Sequence, residues 1–252
     1  MSRLLGTMLA GLLIVLLALP LLGLVFVARP RALGAVLFSP AFLEALGLSL
    51  GTTALSLLMV ITAGTRLAWS LATSRPRPWL ERLLLLPIVM PPAVLGVALL
   101  SALGTQGIVG PFLQGLGLRL PFSTTAVVLV QVVVATPFYV QAALAAFRRL
   151  DPELLLVARS LGSTPWESFR RVGLPLALPG LISGLSLAAA RALGEFGATL
   201  MFAGNAAGRT QTLPLLIYEA LERDVTEAAS MALLLLALAT LFILGPNIVR
   251  RL

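Results

Sequence analysis

Arg191 and Glu195 stand four positions apart inside an apolar stretch that runs from 178 to 203. Residues at that spacing share one face of a helix, and an ionisable side chain at membrane depth is costly enough to signal a function. Two readings stand: a pair that neutralises its own charges, or part of a gate or intersubunit network. Arginine before glutamate is the weaker order for a pair within one helix, which leaves room for partners outside it. Glu195 also offsets the cationic charge, so a tight anion site is not expected there. Thr199, Asn205, Thr210, Gln211 and Thr212 follow. Their hydroxyl and amide groups can serve a passing anion or the backbone of their own loop. Ser49, Thr52, Thr53, Ser56 and Gln131 offer the same groups in two other apolar runs, where hydroxyls commonly bond back to their own helix.

Bond-making chemistry finds little support. The 252 residues include no histidine, no cysteine and no lysine. Thiol and disulfide chemistry, haem ligation through either residue and the usual zinc sites are thereby excluded, and neither a metal nor another cofactor is expected. A phosphate-binding P-loop needs a lysine to reach the nucleotide phosphates, so the chain cannot hydrolyse ATP by that route. The carboxylates are scattered mainly through loops, and no nucleophile lies beside a base. No catalytic residues are expected, and a membrane enzyme is disfavoured. The formal charge of +8 is carried by arginine alone; in a membrane chain it marks the loops held on one side rather than a nucleic-acid surface.

The elements that must position these side chains are membrane spans. Hydrophobic residues make up 59% and charged residues 11% of the sequence, with a mean hydropathy of +1.03, well inside the membrane class. Crossing the hydrocarbon takes roughly 20 apolar residues. Six runs qualify: 4–28, 43–65, 83–104, 124–147, 178–203 and 228–249. The first is too long for a signal-peptide core and is expected to remain as a span. With the N-terminus in the cytoplasm, Arg3, Arg66, Arg75, Arg77, Arg82, Arg148, Arg149, Arg159, Arg170, Arg171, Arg250 and Arg251 fall inside. Arg29, Arg31, Arg119, Arg209 and Arg223 fall outside. Twelve against five favours that orientation. Pro87, Pro91 and Pro92 interrupt the third run, Pro137 the fourth, and Gly180, Gly184, Gly194 and Gly197 line the fifth. Such residues permit kinks and close helix approach, whether for packing alone or for a moving pathway.

The longest soluble-looking segment, 151–179, is punctuated as two short helices hinged at a glycine. Asp151 is suited to the N-cap, Pro152 to the first helical position, Glu153 to the positive helix end and Gly162 to the C-terminal stop. Thr164, Pro165, Trp166 and Glu167 have the spacing of a capping box, and Pro175 and Pro179 are expected to close the segment. On the second helix Trp166, Phe169, Val172 and Gly173 fall along one side, and Glu167, Arg170 and Arg171 along the other. A helix pair of this kind on the cytoplasmic side calls for a partner.

This segment resembles the EAA loop of ABC-transporter permeases. Gly162 matches the motif glycine, Val172 the spaced aliphatic position, and Leu174 with Pro175 the closing Leu-Pro. Where the family often carries Glu-Ala-Ala, the chain has Leu156, Val157 and Ala158, with Glu153 one turn earlier. The block from Arg191 through Gly194, Glu195, Phe196 and Gly197 to Asn205, followed by Gln211 to Pro214, is similar to the molybdate permease subfamily. The stretch 86–92 belongs to the same likeness, which covers essentially the whole chain.

The resemblance implies an all-α polytopic fold of the type I ABC importer permease kind, one transmembrane domain over 1–252 with a coupling loop at 151–179. It implies a multi-pass protein of the inner membrane that imports molybdate, with tungstate as a second cargo, by alternating access. The implied partners are cytoplasmic ABC ATPase subunits, an extracytoplasmic molybdate-binding protein and a second copy of the permease. Glu153, Ala158, Gly162, Trp166, Val172, Leu174 and Pro175 would couple to the ATPase. Arg191, Glu195, Thr199, Asn205 and Gln211 would form the gate or pathway. A sulfate or thiosulfate permease is the alternative within this class, and an ATPase-independent channel or carrier the alternative outside it.

Overall fold

The computed structural model describes residues 2–28, 30–75 and 77–249; Arg29, Arg250 and Arg251 of the charge tally lie outside the described residues. Every regular element among the described residues is a helix. The first helices are α1 (Ser2–Val27), α2 (Pro30–Leu37) and α3 (Pro40–Thr73), followed by α4 (Pro78–Val89), α5 (Pro92–Leu103) and α6 (Gly110–Gly115). Then come α7 (Thr124–Arg148), α8 (Pro152–Ser160), α9 (Pro165–Ser168), a π-helical turn at Phe169–Gly173 and α10 (Leu174–Leu193). The chain finishes with α11 (Gly197–Ala203), α12 (Leu213–Leu221) and α13 (Val225–Val249).

Among the described residues, five continuous helical stretches are long and apolar enough to cross a membrane: Leu5–Val27, Pro40–Thr73, Thr124–Arg148, Pro165–Leu193 and Val225–Leu244. The pair α4 and α5 qualifies together but is bent by 114° at its break. The contacts fix how the helices on either side of this pair run. Thr73, at the end of α3, lies with Phe147 and Arg148, at the end of α7, around one cavity. At the other pole, Ser49 near the start of α3 accepts a hydrogen bond from the Leu213 amide, and Thr124 at the start of α7 donates to the Arg209 carbonyl. Both helices therefore run the same way, and residues 74–123 must return from one pole to the other. With the bent pair counted as one span, the described residues offer six crossings.

The core forms where α3, α7 and α10 meet. Val60, Ala68 and Leu71 of α3 pack with Tyr139, Val140, Leu144 and Phe147 of α7 and with Leu181, Ala188 and Ala192 of α10. Small residues set the spacing. A Cβ on Gly184 would lie 2.7 Å from the Ala142 methyl, and one on Gly180 would lie 2.5 Å from that of Ala146. Backbones can approach that closely only without the side chain. Thr65 and Tyr139, both buried, share a hydrogen bond of 2.6 Å between α3 and α7. A second cluster joins Val36, Phe42, Leu213, Leu216, Ala228 and Met231, and a third joins Leu95, Val127, Val130, Val134, Ala198 and Phe202. By contrast α1 leaves its apolar surface exposed around the helix, as a lipid-facing span does.

Two expected spans need correction. The run 83–104 is not a single kinked helix: it starts at Pro78 and breaks between Val89 and Pro92, where Pro91 and Pro92 remove successive amide donors. The run 178–203 begins thirteen residues too late (178 − 165), since the helix entering it starts at Pro165, and it ends too far along, since the helix breaks at Gly194. Pro175 and Pro179 do not close the 151–179 segment, and its second helix is not short. The π turn absorbs the first of them. The Leu174 amide donates five residues back, to the Phe169 carbonyl, which widens the turn against which the Pro175 ring would otherwise clash.

Candidate functional site

At one pole, the expected helix pair forms with its caps in place. The Asp151 carboxylate accepts from the Glu153 amide at 2.9 Å, with Pro152 at the first helical position of α8. At the far end of α8, the Gly162 amide donates to the Arg159 carbonyl at 2.9 Å and the Ser163 amide to the Ala158 carbonyl at 3.1 Å. This is a Schellman closure, and Gly162 takes the left-handed conformation it requires, with φ at +88°. The next helix starts two residues on. Thr164 Oγ1 accepts from the Glu167 amide at 3.2 Å, and Glu167 Oε2 accepts from the Thr164 amide at 2.9 Å. Both arms of the capping box are made.

Glu153, Ala158, Gly162 and Trp166 thus belong to one hairpin, while Val172, Leu174 and Pro175 lie at and just beyond the π turn that joins it to α10. The expected apolar side is split. Phe169 and Gly173 face the core, but Trp166 is 57% exposed. On α8, Leu154, Val157 and Leu161 follow a 3-then-4 spacing and are 47%, 57% and 82% exposed. They form an apolar stripe with nothing over it. Sequence reasoning missed Trp69, whose ring meets Phe147 at 5.2 Å and Phe169 at 5.1 Å between centroids. A Cβ on Gly173 would come within 2.6 Å of that indole, so the absence of a side chain at 173 is what lets the π turn seat on α3.

Towards the other pole, Arg191 and Glu195 pair with each other at 2.6 Å. Within the chain the self-neutralising pair is formed, and the helix end at Leu193 frees Glu195 from helical geometry. Its side chain is 1% exposed. While Oε2 holds Arg191, Oε1 accepts from the Ala198 amide at 2.9 Å. One carboxylate thereby bridges the end of α10 and the start of α11, saturating two donors that the break would otherwise leave unpaired.

Thr199 sits on α11 one turn beyond; it and Thr212 are buried with hydroxyls that meet no partner among the described residues. Gln211 is held apart from Arg191 and Glu195: its amide nitrogen donates to Glu219, which also pairs with Arg223. A ring contact of 5.2 Å between Phe196 and Tyr218 ties this second cluster to the break. Asn205 is exposed on the turn after α11. Thr210 serves its own loop, accepting from the Ala206 amide at 2.9 Å. Ser49 does likewise for Leu213, and Thr52 and Ser56 bond back within α3. Gln131 has a larger part than its isolation in sequence suggested, donating to Thr53 at 3.3 Å and to the Ala192 carbonyl at 3.4 Å, so that it links α7 to α3 and α10.

The two broken spans meet at their breaks. A Cβ on Gly197 would lie 2.8 Å from that of Pro92, and one on Gly96 would lie 2.6 Å from that of Met201. Helices α5 and α11 are therefore packed almost backbone to backbone. Only the glycines and prolines signalled this in the sequence, and they do not say which break faces which.

This architecture has known counterparts. The model of the family described as binding-protein-dependent transport system inner membrane component matches residues 60–252. The chain belongs to that family. The molybdenum transport system permease protein ModB of Mycobacterium tuberculosis is 43% identical over 235 residues, covering 88% of this chain and 89% of its own. ModB of Haemophilus influenzae is 38% identical over 199 residues, covering 78% and 87%. Among solved structures, a chain of a bacterial alginate ABC transporter, in complex with an alginate pentasaccharide-bound periplasmic protein, superimposes with a TM-score of 0.76 at 19% identity, covering 98% of this chain and 93% of that one. A chain of the MetNI methionine ABC transporter in an inward-facing conformation gives 0.64 at 20%, covering 83% and 94%. The fold of this inner membrane component is that of type I ABC importer permeases, and it is a multi-pass protein of the inner membrane.

Proposed function

We propose that the chain is the permease subunit of an ATP-driven importer of molybdate, with tungstate as a second cargo. The observation that carries this reading is the 43% identity to a molybdenum transport permease across 88% of the chain. Residues 1–252 form one transmembrane domain, two copies of which enclose the pathway. Residues 151–179 face the cytoplasm as its coupling loop. An ABC ATPase receives the apolar stripe of Leu154, Val157 and Leu161 together with Trp166, surfaces that an isolated chain has no reason to leave bare. Glu153, Ala158 and Gly162 shape the hairpin that presents this stripe, and Val172, Leu174 and Pro175 hand its motion to α10.

At the opposite pole an extracytoplasmic binding protein delivers the oxyanion. Arg191 and Glu195 then act as the fixed point of the gate. Thr199, Asn205 and Gln211 offer neutral hydrogen-bonding groups along the way, suited to a dianion that must be passed on rather than retained. ATP binding closes the two ATPase subunits and opens the pathway outward, and hydrolysis resets it.

The test is ATP hydrolysis by the permease, reconstituted in lipid with its ATPase and binding protein, on addition of molybdate, tungstate or sulfate. Stimulation by molybdate and tungstate and not by sulfate is expected. Equal or stronger stimulation by sulfate moves the assignment to a sulfate permease, and failure of any ATPase to associate returns it to a channel or carrier.

A further inference from the structure

A contact at the root of the hairpin bears on how its motion reaches the gate. Arg148 is the last residue of α7, three positions before the N-cap of α8, and its guanidinium forms a two-pronged pair with Glu81 on α4. Nη2 donates to Oε1 at 2.6 Å and Nη1 to Oε2 at 3.1 Å. Helix α4 is otherwise lightly held. None of its residues is fully buried, and among the described residues Leu80 and Leu84 are its partly buried contacts with the main core. At its other end α4 breaks into α5, which is locked to α11 through Gly96 against Met201 and Pro92 against Gly197. Helix α11 starts on the Glu195 carboxylate. A continuous chain of contacts thus runs from the root of the hairpin through Arg148, Glu81 and the α4–α5 break to the α10–α11 break.

We propose that the Glu81–Arg148 pair is a positioning link that ties the coupling loop to the two broken spans, so that movement of the hairpin swings α4 and, through it, α5 and α11 at the gate. The side chains are 24% and 45% exposed, so the pair adds little to stability. What it supplies is direction: a planar, bidentate arginine–carboxylate contact fixes the angle between its partners as well as their distance. A second route through α10 exists, since the hairpin is continuous with that helix. The link makes the two broken spans move together instead of leaving α4 behind.

The proposal rests on the importer reading, and its test keeps the two apart. Molybdate taken up per ATP hydrolysed is measured in proteoliposomes holding the complete transporter, for the wild type, E81R, R148E and the exchanged pair E81R/R148E, with E81Q and R148Q as milder variants should a reversal fail to assemble. Each single change is expected to lower the ratio by about fivefold while ATP hydrolysis continues, and the exchanged pair to recover most of it. In the cysteine-free chain, a short thiol crosslink between E81C and R148C is expected to leave uptake intact, because the linked groups travel together. Wild-type ratios in the single variants, an exchanged pair no better than either reversal, or loss of uptake on crosslinking would each overturn the link. A wild type with no ATP-dependent molybdate uptake would instead overturn the importer reading, and the link with it.

Discussion

At the scale of single residues, Glu195 is the side chain on which most depends. Its carboxylate is buried and carries two charge-assisted contacts, to Arg191 and to the Ala198 amide. Removing it strands a backbone donor and most of a cation in a site with little water. Breaking a buried pair costs about 3–5 kcal/mol, and the 30% exposure of the Arg191 side chain moves the expectation to the lower end. Glu195→Ala is expected to destabilise the permease by about 3 kcal/mol. Glu195→Gln keeps an oxygen for the Ala198 amide and loses only the full charge, so a loss of about 1 kcal/mol is expected. Thermal unfolding of the purified variants in lipid nanodiscs checks the order. Equal losses would mean that the ion pair, and not the bond to the helix start, carries the energy; no loss in either would remove Glu195 from any structural part in the gate.

At the scale of elements, the π turn at Phe169–Gly173 is where the hairpin becomes a membrane helix, and its seat is the indole of Trp69. Gly173→Ala drives a methyl into that ring and is expected to cost about 1–3 kcal/mol, as overpacking does. Trp69→Phe frees room there at the expense of its own contacts with Phe147 and Phe169. The double variant is therefore expected to be less destabilised than the sum of the two single ones, and strict additivity in unfolding measurements would show that the two positions do not press on one another.

This joint also marks what the sequence could tell. The caps of α8 and α9 were legible because they are local: Asp151, Gly162, Thr164 and Glu167 act within three residues of themselves. Apolar runs marked the candidate spans for the same reason. Pro175 was misleading as a stop, because whether a proline ends a helix depends on whether the preceding turn can widen, and here that turn includes Gly173, packed on a residue more than a hundred positions away. The Arg191–Glu195 pair was visible as a spacing, but the second contact of its carboxylate, to the Ala198 amide, was not, since it follows from a helix end at Leu193. Glu81 with Arg148, 67 residues apart, left no mark in the sequence at all.

At the scale of the whole molecule, the question is which pole faces the cytoplasm, and the six crossings make it answerable. With α3 and α7 parallel, the pole that holds α8 and α9 also gathers Arg75, Arg77, Arg82, Arg148, Arg149, Arg159, Arg170 and Arg171, whereas Arg119, Arg209 and Arg223 belong to the other. Arginine-rich loops stay on the cytoplasmic side, so the proposed orientation puts the hairpin there, and an even number of crossings before it would bring the N-terminus to the same side. The crossing at 78–103 is the decisive one. Bent by 114°, it could in principle dip and return, which would leave the loop after α5 on the same side as α8. Because the chain has no cysteine, single thiols report each side without background. Gln106→Cys and Ala207→Cys, both at exposed positions, are expected to react with a membrane-impermeant maleimide in intact spheroplasts, and Ser160→Cys only after permeabilisation. Modification of Gln106→Cys and Ser160→Cys from one and the same side would make α4 and α5 a re-entrant loop. The linkage from hairpin to gate would then have no membrane-crossing arm on which to act.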